Sequence, residues 1–369
     1  MVQVTDEVAR AAPGPRPRID DGPAVGLVAI GRNEGERLAR CLASVAGPGL
    51  VAAVVYVDSG STDGSVAMAR ASGAEVVELD RSTPFSAARA RNAGFDRLRA
   101  IAPTVPYVMF VDGDCEVADG WPARAADELD ARPDAAIVCG RNRERSPEAS
   151  IYNRLADLEW DTPIGRAGAC GGNAVARASA FEAVGGFDPT ASAGEEPELC
   201  LRLRRLGWSI WRVDAEMTRH DLAMTRFGQW WRRQVRTGYS GLDVATRFGV
   251  AGDVPFGRQI RSARIWTIGH STATLAVAAA GLVASGPVAG LAAGALLGSA
   301  APLQAARIAF RDRRRLGRAD LAAAHGILTM ISKWGQVLGQ AIYFRDRALG
   351  RRARLIEHKC PDGSPIPSP

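Results

Sequence analysis

The chain places two carboxylates, Asp112 and Asp114, directly after an apolar run at residues 107–111. Such a run is typical of a buried strand, so the pair is predicted to lie at a strand end with one glycine between them. Hard divalent cations such as Mg²⁺ and Mn²⁺ prefer oxygen ligands, and they often link a few carboxylates to the phosphates of a substrate. The spacing therefore indicates diphosphate chemistry, although Asp-Gly-Asp is also an ordinary turn sequence.

The elements that must position these residues alternate between strand and helix patterns. The predicted strands are 25–30, 51–57, 74–79 and 107–111, and the predicted helices are 35–45, 65–72 and 86–102. This alternation is typical of an α/β protein with a doubly wound, mostly parallel sheet, which binds ligands at the carboxyl edge of its strands. Asn33, Glu34 and Asp58 follow the first two strands, so they are expected to share that edge with the two aspartates.

Beyond the fourth strand the pattern is less regular. A helix at 121–131, a strand at 135–139 and a helix at 197–206 are separated by glycine-rich loops. We expect residues 120–225 to form a second, more irregular layer of the same domain. The proposed division is a flexible segment at 1–23 with four prolines, a catalytic domain at 24–257, a helical membrane region at 258–350 and a basic tail at 351–369.

Charge separates the body of the chain from its C-terminal part. The 369 residues carry a formal net charge of +6, but the segment from residue 251 onward contains 16 Lys and Arg against 6 Asp and Glu. The remainder is slightly acidic, and the basic residues flank apolar segments, so no nucleic-acid partner is predicted. The six cysteines lack a C-x-x-C pair and the four histidines complete no zinc pattern, which favours reduced thiols in the cytosol.

Two long apolar segments, 265–285 and 287–306, contain no charged side chains and are broken by Gly286-Pro287. Each is close to the ~20 residues that cross a bilayer, although a buried helical hairpin of a soluble protein is the alternative. Arginines precede the first segment and follow the second, so the positive-inside rule places both ends of a re-entering hairpin in the cytoplasm, at the inner membrane. These arginines are Arg258, Arg261, Arg264, Arg307, Arg311, Arg313, Arg314, Arg315 and Arg318.

A helix at 321–344 separates an apolar face from a polar stripe. The apolar face comprises Ile327, Ile331, Trp334, Leu338 and Ala341, and the stripe comprises His325, Thr329, Ser332, Lys333, Gln336 and Gln340. We expect this helix to lie in the membrane interface, and the alternative is packing on the hairpin or on the catalytic domain.

Taken in order, the strand-end residues resemble those of family 2 glycosyltransferases with the GT-A fold. The resemblance covers residues 25–240. The matching segments are Asn33-Glu34, Val57-Asp58-Ser59-Gly60-Ser61-Thr62-Asp63, Ala90-Arg91-Asn92-Ala93-Gly94, the D-x-D, Gly185-Gly186-Phe187-Asp188 and Gly194-Glu195-Glu196-Pro197-Glu198-Leu199.

The resemblance assigns expected roles to residues of this chain. Glu34 and Asp58 would contact the nucleoside, Arg91 the diphosphate, and Asp112 with Asp114 the ribose and the metal, Mn²⁺ or Mg²⁺. Glu196 would be the catalytic base and Glu195 the alternative base, because the family usually has Glu-Asp where this chain has two glutamates. His220 would reach the metal or the diphosphate, and Gly172 would let the backbone approach the sugar or the acceptor, although Gly171-Gly172 also suits a plain turn.

The function implied is an inverting, metal-dependent glycosyltransferase of cell-surface polysaccharide or glycolipid synthesis. It would move a sugar from a UDP- or GDP-sugar to a hydroxyl of a lipid-linked or membrane-associated acceptor. A sugar-phosphate nucleotidyltransferase is one alternative, although its basic phosphate loop is poorly matched by Gly31-Arg32-Asn33-Glu34-Gly35. A non-catalytic membrane scaffold is another alternative, against which the retained metal and base candidates argue.

Overall fold

The computed structural model describes residues 24–47, 49–191, 193–249 and 256–351; the predicted flexible segment and almost all of the predicted basic tail lie outside this part. The strands are β1 Val25–Gly31, β2 Val54–Asp58, β3 Glu75–Glu78, β4 Tyr107–Asp112, β5 Cys115–Val117, β6 Ala135–Glu144, β7 Gly165–Arg166, β8 Ala174–Arg177 and β9 Ser209–His220. The helices are α1 Glu36–Ala43, α2 Ser65–Ala71, α3 Ala87–Ile101, α4 Trp121–Ala131, α5 Ile151–Glu159, α6 Ala178–Ala183, α7 Glu195–Arg205, α8 Phe227–Phe248, α9 Gly257–Arg264, α10 His270–Ser285, α11 Pro287–Gly298, α12 Ala300–Leu316 and α13 Ala319–Ala348.

The strands form one mixed sheet in the order β3-β2-β1-β4-β8-β6-β9-β5, with β7 paired to β9. The parallel order β3-β2-β1-β4 agrees with the predicted alternation. The second layer predicted for residues 120–225 is wrong, because β6, β8 and β9 extend the same sheet. β8 has only four residues and runs antiparallel between β4 and β6, so no local period marks it as the strand that joins the two halves.

In the half of the sheet formed by β1 to β4, helix α3 packs closely on the strands. β1 and β4 are buried along most of their length, and α3 packs across β1 and β2. A Cβ atom at Gly94 of α3 would lie 2.3 Å from Cγ1 of Val28. The glycine therefore lets α3 approach the sheet closely, which positions the residues at the start of the helix.

The C-terminal helices include two stretches that are long and apolar enough to cross a bilayer, Gly257–Ser285 and Pro287–Leu316. The first stretch is continuous through a π-helical segment, Ile265–Gly269. Only 6% and 17% of their most apolar windows are buried, and Leu275, Val283 and Leu291 are 70%, 88% and 76% exposed. Within the chain as described, the hairpin is therefore not buried.

Helix α13 packs on α8 and α12, so the packing alternative describes it better than a helix lying free in the interface. Along part of this helix, polar side chains are buried and apolar side chains are exposed, which is the reverse of the usual pattern in a soluble protein. Gln336 and Gln340 of the polar stripe are 5% and 3% exposed, whereas Trp334 and Leu338 of the apolar face are 52% and 44% exposed. The amide of Gln336 faces that of Gln234 on α8, at 3.5 Å between Nε2 and Oε1. At these positions the helix turns polar side chains to the protein and apolar side chains outward, whereas Leu328 and Ile331 pack against the cluster that contains Trp230.

The contact between α8 and α13 depends on glycines, and substitution of one of them is expected to destabilise the protein. A Cβ atom at Gly238 would lie 2.0 Å from the carbonyl oxygen of Gln336, and this clash involves backbone that moves only with the helix. Gly238→Ala is expected to lower the free energy of unfolding by about 1–3 kcal/mol. Gly228→Ala, on the exposed first turn of α8, is the control, because a Cβ atom there would lie 3.9 Å from Nη1 of Arg232 and would clash with nothing. This variant should have the melting temperature of the parent or a slightly higher one. Equal melting temperatures for the two variants would contradict the packing.

Candidate active site

The D-x-D lies at the carboxyl end of β4, as predicted, and a buried amide holds its backbone. The backbone N–H of Asp112 donates to Oδ1 of Asn173, 2.9 Å away, and Asn173 is 2% exposed. The Nδ2 group of Asn173 reaches Sγ of Cys115 at 3.2 Å and Oγ1 of Thr218 at 3.3 Å. Asn173 therefore connects the residues around the D-x-D to β9. Its position in a Gly-Gly-Asn turn did not indicate this role.

Strand pairing brings His220 to the D-x-D from 106 residues away. β5 begins one residue after Asp114 and runs antiparallel to β9, with Cys115 opposite His220. Nε2 of His220 lies 2.9 Å from Oδ2 of Asp114, which is 3% exposed. Asp114, Cys115 and His220 place ligand atoms within 4.8 Å of one another, which makes them a possible metal-binding group. Trp160, which sequence reasoning missed, stacks on the His220 ring with centroids 5.0 Å apart.

Arg91 joins the D-x-D to the first turn of α7. Its guanidinium donates to Oδ1 of Asp112 at 2.8 Å and to Oε1 of Glu195 at 2.7 Å, and Arg91 is only 2% exposed. Burial works against the charge on Arg91, but the two carboxylates outweigh it and raise the pKa of the guanidinium. The acids predicted on two separate segments therefore lie in one cluster.

The two glutamates of α7 have different environments. The helix begins at Glu195, two residues earlier than predicted, so both glutamates lie in its first turn. Although burial acts to raise the pKa of Glu195, the charge of Arg91 lowers it overall. Glu196 points to another side of the helix, where its carboxylate accepts hydrogen bonds from the backbone N–H of Cys170 and from Sγ of Cys200. Burial raises the pKa of Glu196.

The loops after β1 and β2 are tied to each other. Oδ1 of Asn33 accepts a hydrogen bond from the backbone N–H of Thr62 at 2.7 Å, and the backbone N–H of Asn33 donates to Oγ of Ser61 at 2.9 Å. Asp58 is buried, and its Oδ2 accepts from the backbone N–H groups of Gly60 and Ser61, each at 2.8 Å. Asp58 thus shapes the loop that follows β2.

Glu34 and Gly172 lie beside the D-x-D. Oε2 of Glu34 is 2.9 Å from Nε of Arg37, and Cγ of Glu34 would be 3.5 Å from a Cβ atom built at Gly113. A Cβ atom at Gly172 would lie 3.2 Å from Oδ2 of Asp112 and 3.4 Å from Nη2 of Arg91. A side chain at position 172 would therefore crowd this ion pair, so the glycine does more than make a turn.

Loss of Arg91 is expected to destabilise the fold strongly. Arg91→Met would leave the buried carboxylate of Glu195 beside that of Asp112 without the shared cation. Breaking a buried ion pair by removing one partner costs about 3–5 kcal/mol, which chemical denaturation would measure. Arg97→Met is the control on the same helix, because Arg97 pairs with Glu75 at 2.7 Å on the surface with side chains 44% and 40% exposed. That surface pair should contribute less than about 1 kcal/mol, so similar losses for both variants would argue against a buried Arg91 pair.

Comparison with known proteins finds a family match for the part of the chain that contains the D-x-D. Residues 28–185 match the family described as glycosyl transferase family 2. This part of the chain, which includes the D-x-D, is similar to family 2 glycosyltransferases. A mannosyltransferase of Pyrobaculum calidifontis, solved in complex with GDP-Man and Mn²⁺, has a similar structure with a TM-score of 0.60. The similarity covers 88% of each chain at 18% sequence identity and shows that the fold is GT-A, as expected.

Two relatives share part of the sequence of this chain. The succinoglycan biosynthesis protein ExoA of Rhizobium meliloti is 27% identical over 181 residues, which is 45% of this chain and 52% of ExoA. The pre-mycofactocin glycosyltransferase of Mycobacterium tuberculosis is 27% identical over 267 residues, which is 66% of this chain and 54% of that protein. The chain thus spans about half the length of these two relatives.

Proposed function

We propose that the protein is a membrane-anchored, metal-dependent, inverting glycosyltransferase. It moves a sugar from a nucleotide-diphosphate sugar, a UDP- or GDP-sugar, to a hydroxyl of a lipid-linked or membrane-associated acceptor at the cytoplasmic face of the inner membrane. The observation that carries the proposal is the cluster joined by Arg91, in which the D-x-D, His220 and the first turn of α7 meet at the carboxyl edge of the sheet. A donor diphosphate and a carboxylate base must share one site in this reaction, and this cluster brings the diphosphate-binding candidates to the turn of α7 that carries both candidate bases, Glu195 and Glu196.

The loops after β1 and β2 form the proposed nucleoside side of the donor site. Asn33 and Glu34 lie on the first loop, and Asp58 holds the second through its bonds to Gly60 and Ser61. Asp58 would act on the nucleoside chiefly by fixing this loop, because its oxygens already accept bonds from within it. A relative of the same fold was solved with GDP-Man, which supports a nucleotide-sugar donor.

The residues at the D-x-D fit a divalent cation. Asp114 and His220 offer a carboxylate oxygen and an imidazole nitrogen 2.9 Å apart, and Asp112, two residues before Asp114, offers a partly exposed carboxylate that pairs with Arg91. Mn²⁺ and Mg²⁺ prefer oxygen and nitrogen ligands to sulfur, so Cys115 is not counted as a ligand here. Asp112, Asp114 and His220 would hold Mn²⁺ or Mg²⁺. A bound cation would supply charge that stabilises the departing diphosphate.

Glu196 is the proposed base. In an inverting reaction the acceptor hydroxyl attacks the anomeric carbon from the side opposite the nucleotide, and a base takes its proton. A carboxylate with a raised pKa accepts a proton more readily than one held ionised by an arginine. The different environments of the two glutamates therefore favour Glu196 over Glu195. Arg91 would hold Asp112 and Glu195 in place while the donor binds.

The proposed membrane anchor is the hairpin of α10 to α12 with the outer face of α13. Exposed apolar side chains cover these helices, and arginines lie at both ends of the hairpin. This distribution supports a bilayer-embedded hairpin with its ends on the cytoplasmic side, where nucleotide sugars are available. Because α13 packs on α8 of the glycosyltransferase domain, the same helices would hold the site close to a lipid acceptor.

A ligand screen followed by product analysis tests the proposed activity. Nucleoside diphosphates are screened with and without Mn²⁺ or Mg²⁺, and a true donor nucleotide should raise the melting temperature in a metal-dependent way. The matching nucleotide sugar is then supplied with membrane lipid extract. Release of nucleoside diphosphate together with a glycosylated lipid supports the proposal. Release of pyrophosphate from a nucleoside triphosphate and a sugar phosphate would indicate the nucleotidyltransferase, and absence of turnover with every donor would indicate a scaffold.

A charge substitution tests the anchor without removing α13, whose loss would uncover the packed face of α8. Leu291→Arg places a charge on a residue of α11 that is 76% exposed, and charged side chains are strongly disfavoured within a membrane-spanning helix. The variant should shift from floated vesicles to the soluble fraction. Ile164→Arg, on an apolar residue of the glycosyltransferase domain that is 60% exposed, is the control and should float like the parent. Flotation of Leu291→Arg at the parent level would argue against the anchor.

A further inference from the structure

Two cysteine thiols surround the proposed base. Sγ of Cys170 lies 3.6 Å from Sγ of Cys200, and Sγ of Cys200 lies 3.3 Å from Oε1 of Glu196. All three ligand atoms lie within 4.8 Å of one another. Glu196 and Cys200 are four residues apart on α7 and so share one helix face, while Cys170 approaches from the loop before Gly171-Gly172. Cys170 is partly exposed, whereas Cys200 is buried.

The geometry of this group matches a thiolate metal centre. In a tetrahedral Zn²⁺ site with Zn–S bonds of about 2.3 Å, two sulfurs lie roughly 3.8 Å apart, whereas a disulfide requires about 2.0 Å. The observed sulfur separation of 3.6 Å is close to the first value. Two thiolates and one carboxylate also make a soft ligand set, which selects Zn²⁺ over the Mg²⁺ or Mn²⁺ that suits the oxygen-rich D-x-D.

We propose that Cys170, Cys200 and Glu196 form a second metal site, distinct from the D-x-D, that binds a thiophilic divalent cation of the Zn²⁺ class. Each thiol releases its proton to solvent on binding, and water completes the tetrahedron. Three protein ligands and one open position are common at zinc sites.

Occupancy of this site would switch off sugar transfer. A cation bound to Glu196 withdraws the carboxylate from the acceptor hydroxyl, so no base remains to take the proton. The inhibitory consequence rests on the function proposed above, whereas binding of the cation does not. The two are therefore tested by separate measurements.

Binding is measured on the full-length reduced protein in detergent, with a non-thiol reductant that does not bind zinc. Co²⁺ serves as the spectroscopic probe, because thiolate ligation gives a sulfur-to-cobalt charge-transfer band, and Zn²⁺ should abolish the band by displacing Co²⁺. The parent should bind one equivalent with this signature. Cys170→Ser and Cys200→Ser should each lose the band and bind Zn²⁺ at least ~10-fold more weakly.

Two other cysteines supply matched controls. Cys139→Ala removes a buried thiol near the group, and Cys115→Ser removes the thiol beside Asp114 and His220. Both variants should keep the parent band and affinity. A band that survives in Cys200→Ser, or that disappears in Cys115→Ser, would overturn the assignment. A parent that forms a Cys170–Cys200 disulfide with hydrogen peroxide but gives no cobalt band would also overturn it, in favour of a redox pair.

Inhibition is measured at saturating Mn²⁺, with each protein normalised to its own rate without zinc. Zn²⁺ should inhibit the parent over the concentration range in which it binds, and Cys170→Ser should need at least ~10-fold more. A parent that binds Zn²⁺ through both thiols but transfers no sugar under any condition would leave the metal site standing and refute the glycosyltransferase proposal. A parent that binds Zn²⁺ there and transfers at full rate would refute the inhibitory role.

Discussion

Glu196→Gln is expected to lower kcat by about 10²–10⁴-fold while the protein remains folded. The amide keeps the size of the side chain and can still accept hydrogen bonds from Cys170 and Cys200, but it cannot take a proton from the acceptor. The KM for the nucleotide sugar should change little, because the donor is held by other residues. The measurement is steady-state release of nucleoside diphosphate, with the melting temperature recorded for each variant.

The pH profile adds a signature that a structural role would not give. Burial raises the pKa of Glu196. When the solution is acidified, Glu196 therefore becomes protonated, and unable to accept a proton, at a higher pH than an ordinary carboxylate does. The parent's kcat should therefore rise with pH through this raised value, and the residual rate of Glu196→Gln should lack that rise. Glu195→Gln is the matched comparison and should be less stable than the parent, because the amide cannot form the ion pair with Arg91. The assignment of the base would be reversed if Glu195→Gln stayed stable and inactive while Glu196→Gln turned over normally.

Asp114→Asn is expected to abolish metal-dependent transfer. The substitution keeps the shape of the side chain but removes the charge beside His220, and a catalytic cation supplies several kcal/mol of transition-state stabilisation. We expect a loss of at least ~10³-fold in kcat/KM, together with loss of the Mn²⁺-dependent thermal shift by nucleoside diphosphate. Rates are measured across a Mn²⁺ titration, since a weakened site would be partly rescued at high concentration.

Asp119→Asn is the control for the charge itself. Asp119 is exposed and lies five residues after Asp114, beyond the C-terminal end of β5. This variant should show the parent's rate and metal dependence. An Asp114→Asn protein with the parent's rate at every Mn²⁺ concentration would show that the D-x-D binds no cation needed for transfer.

Local pattern alone determined the first half of the sheet and the position of the D-x-D. The run before Asp112 is buried because it is continuously apolar, and alternation with helices of known length leaves parallel pairing as the simple arrangement. The apolar hairpin was also readable, because length and absence of charge are local properties. The ordered motifs supplied the family, which agrees with the match over residues 28–185.

The tertiary structure decided which of these residues work together. His220 reaches Asp114 through the pairing of β5 with β9, and Arg91 bonds to Glu195, 104 residues away, as well as to Asp112. The family resemblance placed His220 and Arg91 near the metal and the diphosphate, but no local pattern predicts these contacts, because separation along the chain says nothing about which strands pair. For the same reason, the second layer predicted for residues 120–225 proved to be a continuation of the sheet through β8.

The environment of each buried side chain also depends on the tertiary structure. Two adjacent glutamates are equivalent in sequence, but a helix turns neighbouring side chains apart by about 100°, so one meets Arg91 and the other meets two thiols. The direction in which α13 presents its faces was likewise decided by the glycines that let α8 approach its polar side. Sequence determined which groups are available for chemistry, and packing decided their charge states, because a pKa depends on solvent exclusion and on neighbours that only folding supplies.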